Sequence, residues 1–346
     1  MIDLLRELSE AVGIPGDEGA VRDLILTHIR DHVDEIAVDP MGNLLVIKRG
    51  TGQVNLRVMA AAHMDEVGMI VMGYENDGAL RFSAVGGLDH RILPGTRVRV
   101  GADKISGVIM WPPVHLNQDN DTVPIDRLRI DIGAASKESA QKHVERGDSI
   151  TFDSPFVDLG PTVRGKAFDD RAGCASLINL VQGDPFPFDL YAAFTVQEEI
   201  GLRGAKVAAQ RWQPDMAFVL ETTACHDLPQ DPDEPDQTTI TTLGAGPAIT
   251  VADGTTISNP RLVQYLVRTA ARAGIPCQFR STQHAGGTDA GAIHKTGIGV
   301  PSVTVATPCR YLHGPNLIMS LSDWENQSNL IRVAWLALDE HVISHQ

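Results

Sequence analysis

Five short segments of this sequence carry histidine and carboxylate side chains in a pattern that could hold metal ions. They are Ala62-His63-Met64-Asp65-Glu66, Gly165-Lys166-Ala167-Phe168-Asp169-Asp170-Arg171, Gln197-Glu198-Glu199-Ile200-Gly201, Leu220-Glu221-Thr222 and Arg310-Tyr311-Leu312-His313. A zinc-class ion takes imidazole nitrogen and carboxylate oxygen at about 2.0–2.2 Å, in sites assembled from distant parts of a chain. Taken singly, each segment has an ordinary explanation: a histidine after a strand is commonly structural, Glu-Glu pairs are commonly solvated, and an aspartate before a helix is often its N-cap. Glu198 and Glu199 fit the ordinary explanation poorly, because they follow the apolar run Tyr191 to Val196 and precede Gly201. Taken together and in this order, the segments point to metal-assisted chemistry.

Such chemistry needs a scaffold that brings five distant segments to one place. All but the second follow an apolar run of strand type, so their side chains are expected at one rim of a sheet, where open α/β folds keep their ligands. Val54 to Ala62, Asp189 to Val196, Met216 to Leu220 and Pro301 to Val305 read as strands, alternating after Gly165 with helical periodicity such as Leu177, Ile178 and Val181. That alternation is the rhythm of a layered α/β domain. Glu18 to Val33 reads as a helix leading to a strand at Leu44 to Ile47, and Asn259, Pro260 and Gly274 mark the two ends of another helix. Between Val67 and Gly160 the pattern changes to short strand runs punctuated by glycine and proline, with a helix start near Ser136. The expected fold is therefore a layered mixed-sheet α/β domain, residues 1–66 and 161–346, with a small β-rich, barrel-like domain inserted at 67–160. The acidic, proline-rich stretch from Asp227 to Gln237 is expected to be a surface loop.

Composition narrows the class of function. The formal charge of -15 disfavours nucleic acid and anionic membranes and gives a weak preference for cationic small molecules. No apolar run reaches the roughly 20 residues of a membrane span, and the N-terminus lacks a signal-peptide pattern, so a soluble cytoplasmic protein is expected. Cys174, Cys225, Cys277 and Cys309 show no C-x-x-C pairing and are expected to be reduced thiols.

Seven motifs, in order, carry a resemblance over essentially the whole chain: AHMDEVG at 62–68, PVH at 113–115, DIGA at 131–134, GKAFDDR at 165–171, VQEEIGLRGA at 196–205, GGTDA at 286–290 and RYLH at 310–313. The chain resembles the tetrahedral aminopeptidases, which include glutamyl and deblocking aminopeptidases and relatives labelled cellulase or endoglucanase. That resemblance implies two divalent ions per subunit, Zn²⁺ or Co²⁺. Asp169 would bridge them, His63 and Glu221 would complete one site, and Glu199 and His313 the other. Glu198 would be the general base, and Asp65 would sit behind His63 and accept its second ring proton. Gly286, Gly287, Thr288 and Asp289 fall in what resembles the substrate-pocket loop. One departure is that Glu221 stands where many relatives have Asp.

The expected reaction is hydrolysis of the first peptide bond of short peptides with a free N-terminus. Paired ions lower the pKa of water toward neutrality and polarise a carbonyl, and an adjacent carboxylate moves the proton. A free amine can meet an ion or Glu198 and Glu221, which an acylated nitrogen does poorly. Arg310 and Tyr311 are expected to pack in support of His313. The same resemblance implies a homo-oligomer, a dodecamer built from dimers through the inserted domain; residues 117–124, polar and flexible in composition, are either long enough to reach a neighbour or an ordinary exposed loop. A glycoside hydrolase and a non-catalytic metal scaffold are the competing readings. Few aromatic residues (5%) stand against the first, and Glu198 against the second.

Overall fold

The computed structural model describes residues 1–111, 122–229, 233, 240–280 and 286–343. The sequence motif at 113–115, His284 and most of the 117–124 segment lie outside the described residues.

The central strands carry buried, mostly apolar side chains on both faces. Ala60, Ala61 and Ala62 pair with Ala192, Ala193 and Phe194 and are fully buried. Continuous apolar runs of this kind are what a parallel sheet covered on both faces requires. Four parallel strands form the middle of an 11-stranded mixed sheet, in the order Asp189–Thr195, Arg57–His63, Met216–Ala224, Ser302–Arg310. Leu44–Lys48 continues the sheet antiparallel on one side, and Leu317–Ser320 with Thr162–Gly165 on the other.

Helices cover both faces. The larger core lies beneath Phe168–Gln182, Pro260–Ala273 and Leu321–Leu336, and the smaller beneath Arg203–Trp212 and Ala290–Ile293. The smaller core is lined mostly by alanine, which lets its helices approach the sheet closely. Helix Phe168–Gln182 is buried along almost its whole length, including Asp169, Asp170 and Arg171, and the non-helical kink at Asp169 and Asp170 near its start delivers charge into the interior.

The inserted unit has its own apolar core and is a closed six-stranded barrel: Gly68–Tyr74, Leu80–Val85, Ile130–Asp131, Ile105–Ile109, Arg97–Val100 and Ser149–Phe152. The barrel strands thus end at Phe152, and Val157–Asp158 already pairs with Thr162–Gly165 in the large sheet. Ser136 caps a helix as the sequence suggests, but that helix is a single turn, Lys137–Ala140.

Candidate active site

Strand register brings the site together. Thr195 is level with His63, and Val219 is level with Ala61, so Glu221 two residues later stands opposite His63. Glu221 is not at the end of its strand, as the apolar run suggests, because Met216–Ala224 continues past it alongside Ser302–Arg310. Glu198 and Glu199 follow directly from Thr195, and His313 lies just beyond Arg310.

Asp169 sits between the two histidines. Its Oδ1 is 3.1 Å from His63 Nε2, and its Oδ2 is 3.4 Å from His313 Nε2. Glu221 Oε1 lies 3.4 Å from His63 Nε2, and Glu199 Oε2 lies 3.5 Å from His313 Nε2. The other ring nitrogens face carbonyl oxygens: His63 Nδ1 is 3.0 Å from Asp65 O, and His313 Nδ1 is 2.9 Å from Gly87 O. A carbonyl only accepts, so Nδ1 carries hydrogen in both rings and each Nε2 is directed at the carboxylates.

The electrostatics are those of anions crowded out of water. Burial pushes the Glu199 and Glu221 carboxyls each up to about 8, and pushes Glu198 well above the carboxylate range. Burial alone would lower His313, but its bond to Asp169 and the charge of Glu199 raise it to about 9. His63 is likewise raised well above its usual value against burial, by Glu221 and Glu198. Asp169, despite burial, is held below the usual range by the two histidines. Glu199 Oε1 and Glu221 Oε2 are buried without a hydrogen-bond partner among the described residues. Carboxylates with one oxygen beside an imidazole nitrogen and the other without a partner are a donor set suited to divalent cations. The ligand atoms of His63, Asp169 and Glu199 lie within 4.8 Å of one another, as do those of His63, Asp170 and Glu221.

Asp170 is engaged elsewhere, because Oδ2 accepts from the His63 amide at 3.2 Å and Oδ1 from Gly173 at 3.0 Å. It fixes the backbone of His63. Asp65 differs from the sequence reading in a related way. What accepts from His63 Nδ1 is its backbone carbonyl, whereas its carboxylate accepts the amides of Glu198 at 3.0 Å and Glu199 at 3.1 Å and stands 3.5 Å from the ring.

A cleft of about 380 Å³ opens over the cluster, and Gly286, Gly287 and Thr288 line it. Asp289 does not. It is fully buried, accepts from Thr195 Oγ1, and is pushed by burial up to about 6. Arg310 is held by Asp227 at 2.7 and 2.9 Å, which also anchors the start of the acidic stretch. Tyr311 is 49% exposed and so does not pack in support of His313. Sequence reasoning missed Gly87, Thr255 and Arg280 in the cleft wall. The Gly86-Gly87 pair signals a turn, but nothing in it signals contact with His313. Ala167, Gln197, Leu202, Tyr311 and His313, all on segments that frame the cluster, adopt left-handed φ of 55–62° without being glycine. Such backbone costs about 1–3 kcal/mol each and concentrates where a site dictates geometry.

A sequence profile of the M42 glutamyl aminopeptidase family matches residues 42–330. The chain belongs to that family. A glutamyl aminopeptidase of Lactococcus lactis is 30% identical, covering 99% of this chain and 98% of its own. A lysyl aminopeptidase of Pyrococcus furiosus is also 30% identical, covering 98% and 96%. Among solved structures, an aminopeptidase from Desulfurococcus kamchatkensis superposes with a TM-score of 0.93 at 33% identity, over 99% of this chain and 96% of that one. Pyrococcus horikoshii TET1 peptidase, which can assemble into a tetrahedron or a large octahedral shell, gives 0.86 at 35%, over 97% and 99%. A Thermotoga maritima protein described as an endoglucanase gives 0.80 at 38%, over 98% and 97%. This M42 chain is thus an aminopeptidase, a peptide hydrolase with a mixed α/β fold and an inserted barrel. Glutamyl and lysyl relatives stand equally far from it, so membership alone leaves its preferred N-terminal residue open.

Proposed function

We propose that this chain hydrolyses the N-terminal residue from short peptides with two divalent ions, Zn²⁺ or Co²⁺, and that Glu198 is its general base. The observation that carries the reading is Asp169 set between His63 and His313, with one oxygen of Glu221 and one of Glu199 3.4 and 3.5 Å from those rings and the other oxygen of each buried without a partner among the described residues. Asp169 would be shared, His63 and Glu221 would hold one ion, and Glu199 and His313 the other. Bound there, the ions supply Lewis acidity toward the scissile carbonyl and toward water.

The protein's own groups do the rest. Glu198 lines the cleft and has no place in the ligand set, so its carboxylate takes a proton from water and passes it to the leaving amine nitrogen. Burial raises its proton affinity, as that transfer requires. Asp65 fixes the backbone that carries both Glu198 and Glu199, and Gly87, from the barrel side, holds the His313 ring. Gly286 to Thr288 form the wall against which the N-terminal residue lies. Glycoside hydrolysis is a weaker reading, because no aromatic side chain lines the cleft among the described residues to stack on a sugar.

Assembly would follow the relatives: a hollow dodecamer built from dimers would keep folded proteins away from the cleft, with the inserted barrel as the dimer contact. The catalytic reading is tested by Glu198→Gln. kcat is expected to fall by about 10²–10⁴ with ion content unchanged. Loss of the ions along with activity would show that Glu198 is a ligand.

A further inference from the structure

The chain leaves its strand at Thr195 and almost at once must set Glu198 over the cleft and Glu199 among the ligands. Consecutive backbone amides along this turn each donate to a side-chain oxygen. Val196 is held by Asn43 Oδ1 at 3.0 Å, Gln197 by Glu18 Oε1 at 3.2 Å, and Glu198 and Glu199 by Asp65 at 3.0 and 3.1 Å. Gln197 is the hinge of the turn, at a left-handed φ of 56° that a non-glycine residue keeps only when its surroundings hold it there. Glu18 reads from the sequence as the start of a helix, and it does precede Gly19–Ile29, but its side chain makes no cap hydrogen bond to that helix. The residue is 4% exposed, and Oε1 accepts from the Gly16 amide at 2.8 Å as well as from Gln197. The arm that carries it is pinned to the site motifs, because Gly13 O accepts from the Glu66 amide at 2.9 Å and from Arg171 Nη2 at 3.2 Å.

We propose that Glu18 is a positioning residue for the general base: by holding the Gln197 amide it sets the direction in which Glu198 enters the cleft. The inference rests on the reading of Glu198 as the base. Two anchors divide the turn between them. Asp65 holds the amides of base and ligand alike, so its loss disturbs chemistry and ions together. Glu18 acts one residue earlier, at the hinge, and its loss leaves both Asp65 bonds in place. Gln197 is then free to leave its left-handed conformation and to swing Glu198, while Asp65 and the bound ion keep Glu199 where it is. A misplacement of about 1 Å at a reacting group costs on the order of 10²-fold in rate. What the Gln197 amide needs is an acceptor at that reach, and a glutamine side chain offers one of the same length.

The test follows kcat and KM of the zinc-loaded enzyme on the fastest-cleaved of the Glu, Lys and Leu p-nitroanilides, with zinc content and Tm measured alongside. Glu18→Ala is expected to lower kcat by about 10–10²-fold, with KM within about threefold of wild type and the zinc content unchanged. Glu18→Gln is expected to restore kcat to near wild type. Glu18→Asp, one methylene too short, is expected to fall with Glu18→Ala and decides in its place should the alanine variant not fold. Adding Glu18→Ala or Glu18→Asp to Glu198→Gln is expected to cost no further rate, because the positioned group is already gone, whereas independent structural losses multiply. The proposal is overturned by a lower Tm with wild-type kcat in the alanine or aspartate variant, by zinc loss in step with kcat, by Glu18→Gln as slow as Glu18→Ala, or by losses that multiply. Wild-type kcat or lost zinc in Glu198→Gln alone would instead bring down the reading of Glu198 as the base, and this inference with it.

Discussion

Replacing Asp65 by alanine removes the group on which both Glu198 and Glu199 hang. Its carboxylate accepts the Glu198 amide at 3.0 Å and the Glu199 amide at 3.1 Å, and Asp65 is fully buried. A buried donor left unsatisfied costs about 1–3 kcal/mol. The Glu198 amide is buried and carries that cost in full, whereas the Glu199 amide is part-buried and carries about half, so the sum is about 1.5–4.5 kcal/mol. Against this, deleting Asp65 relieves repulsion on Glu199 and Asp289, whose carboxyls are pushed up chiefly by burial and in lesser part by the Asp65 charge. The net loss of stability in the ion-free protein is therefore expected at the lower end, about 2 kcal/mol. Displacing Glu199 should also weaken ion binding about 10–100-fold, as loss of a supporting carboxylate commonly does. Urea denaturation of the stripped protein and competition of Zn²⁺ against a chromogenic chelator measure the two effects. Wild-type stability with wild-type ion affinity in Asp65→Ala would refute the role given to this carboxylate.

Two further outcomes follow from the same geometry. Glu199, Glu221 and His313 all have folded-state pKa values above their unfolded ones, at about 8, 8 and 9, so the ion-free fold binds more protons than the unfolded chain between them. Its stability should then fall as pH rises from 6 to 9 and should level when ions are added, since they take the place of those protons; a pH-independent Tm of stripped protein would contradict this. Light scattering at micromolar concentration should give a mass near that of twelve chains, with dimers on dilution, and a fully active monomer would refute the assembly.

Much of the framework was legible because its causes are local. Asn259 does accept from the Arg261 and Leu262 amides, Pro260 opens that helix and Gly274 closes it, all readable from residue type. The apolar runs Val54 to Ala62, Asp189 to Val196 and Pro301 to Val305 announced three strands of the sheet for the same reason, although the last strand continues to Arg310. What stayed hidden depends on register and packing. Glu221 reaches His63 only because two parallel strands align Val219 with Ala61. Asp289, in a glycine-rich motif that reads as a pocket loop, turns inward to Thr195. The division of labour at Asp65 was hidden too, since backbone carbonyl and carboxylate belong to one residue letter. Arg280 carried no signal, because its place in the cleft comes from a short edge strand.

The central claim is that hydrolysis depends on two ions held by His63, Asp169, Glu199, Glu221 and His313. The most direct measurement strips the protein exhaustively and titrates Zn²⁺ or Co²⁺ back while following release of p-nitroaniline. Activity is expected to be absent at the start and to saturate at two ions per chain. Full activity in the stripped protein, or saturation at a single ion, would contradict the claim.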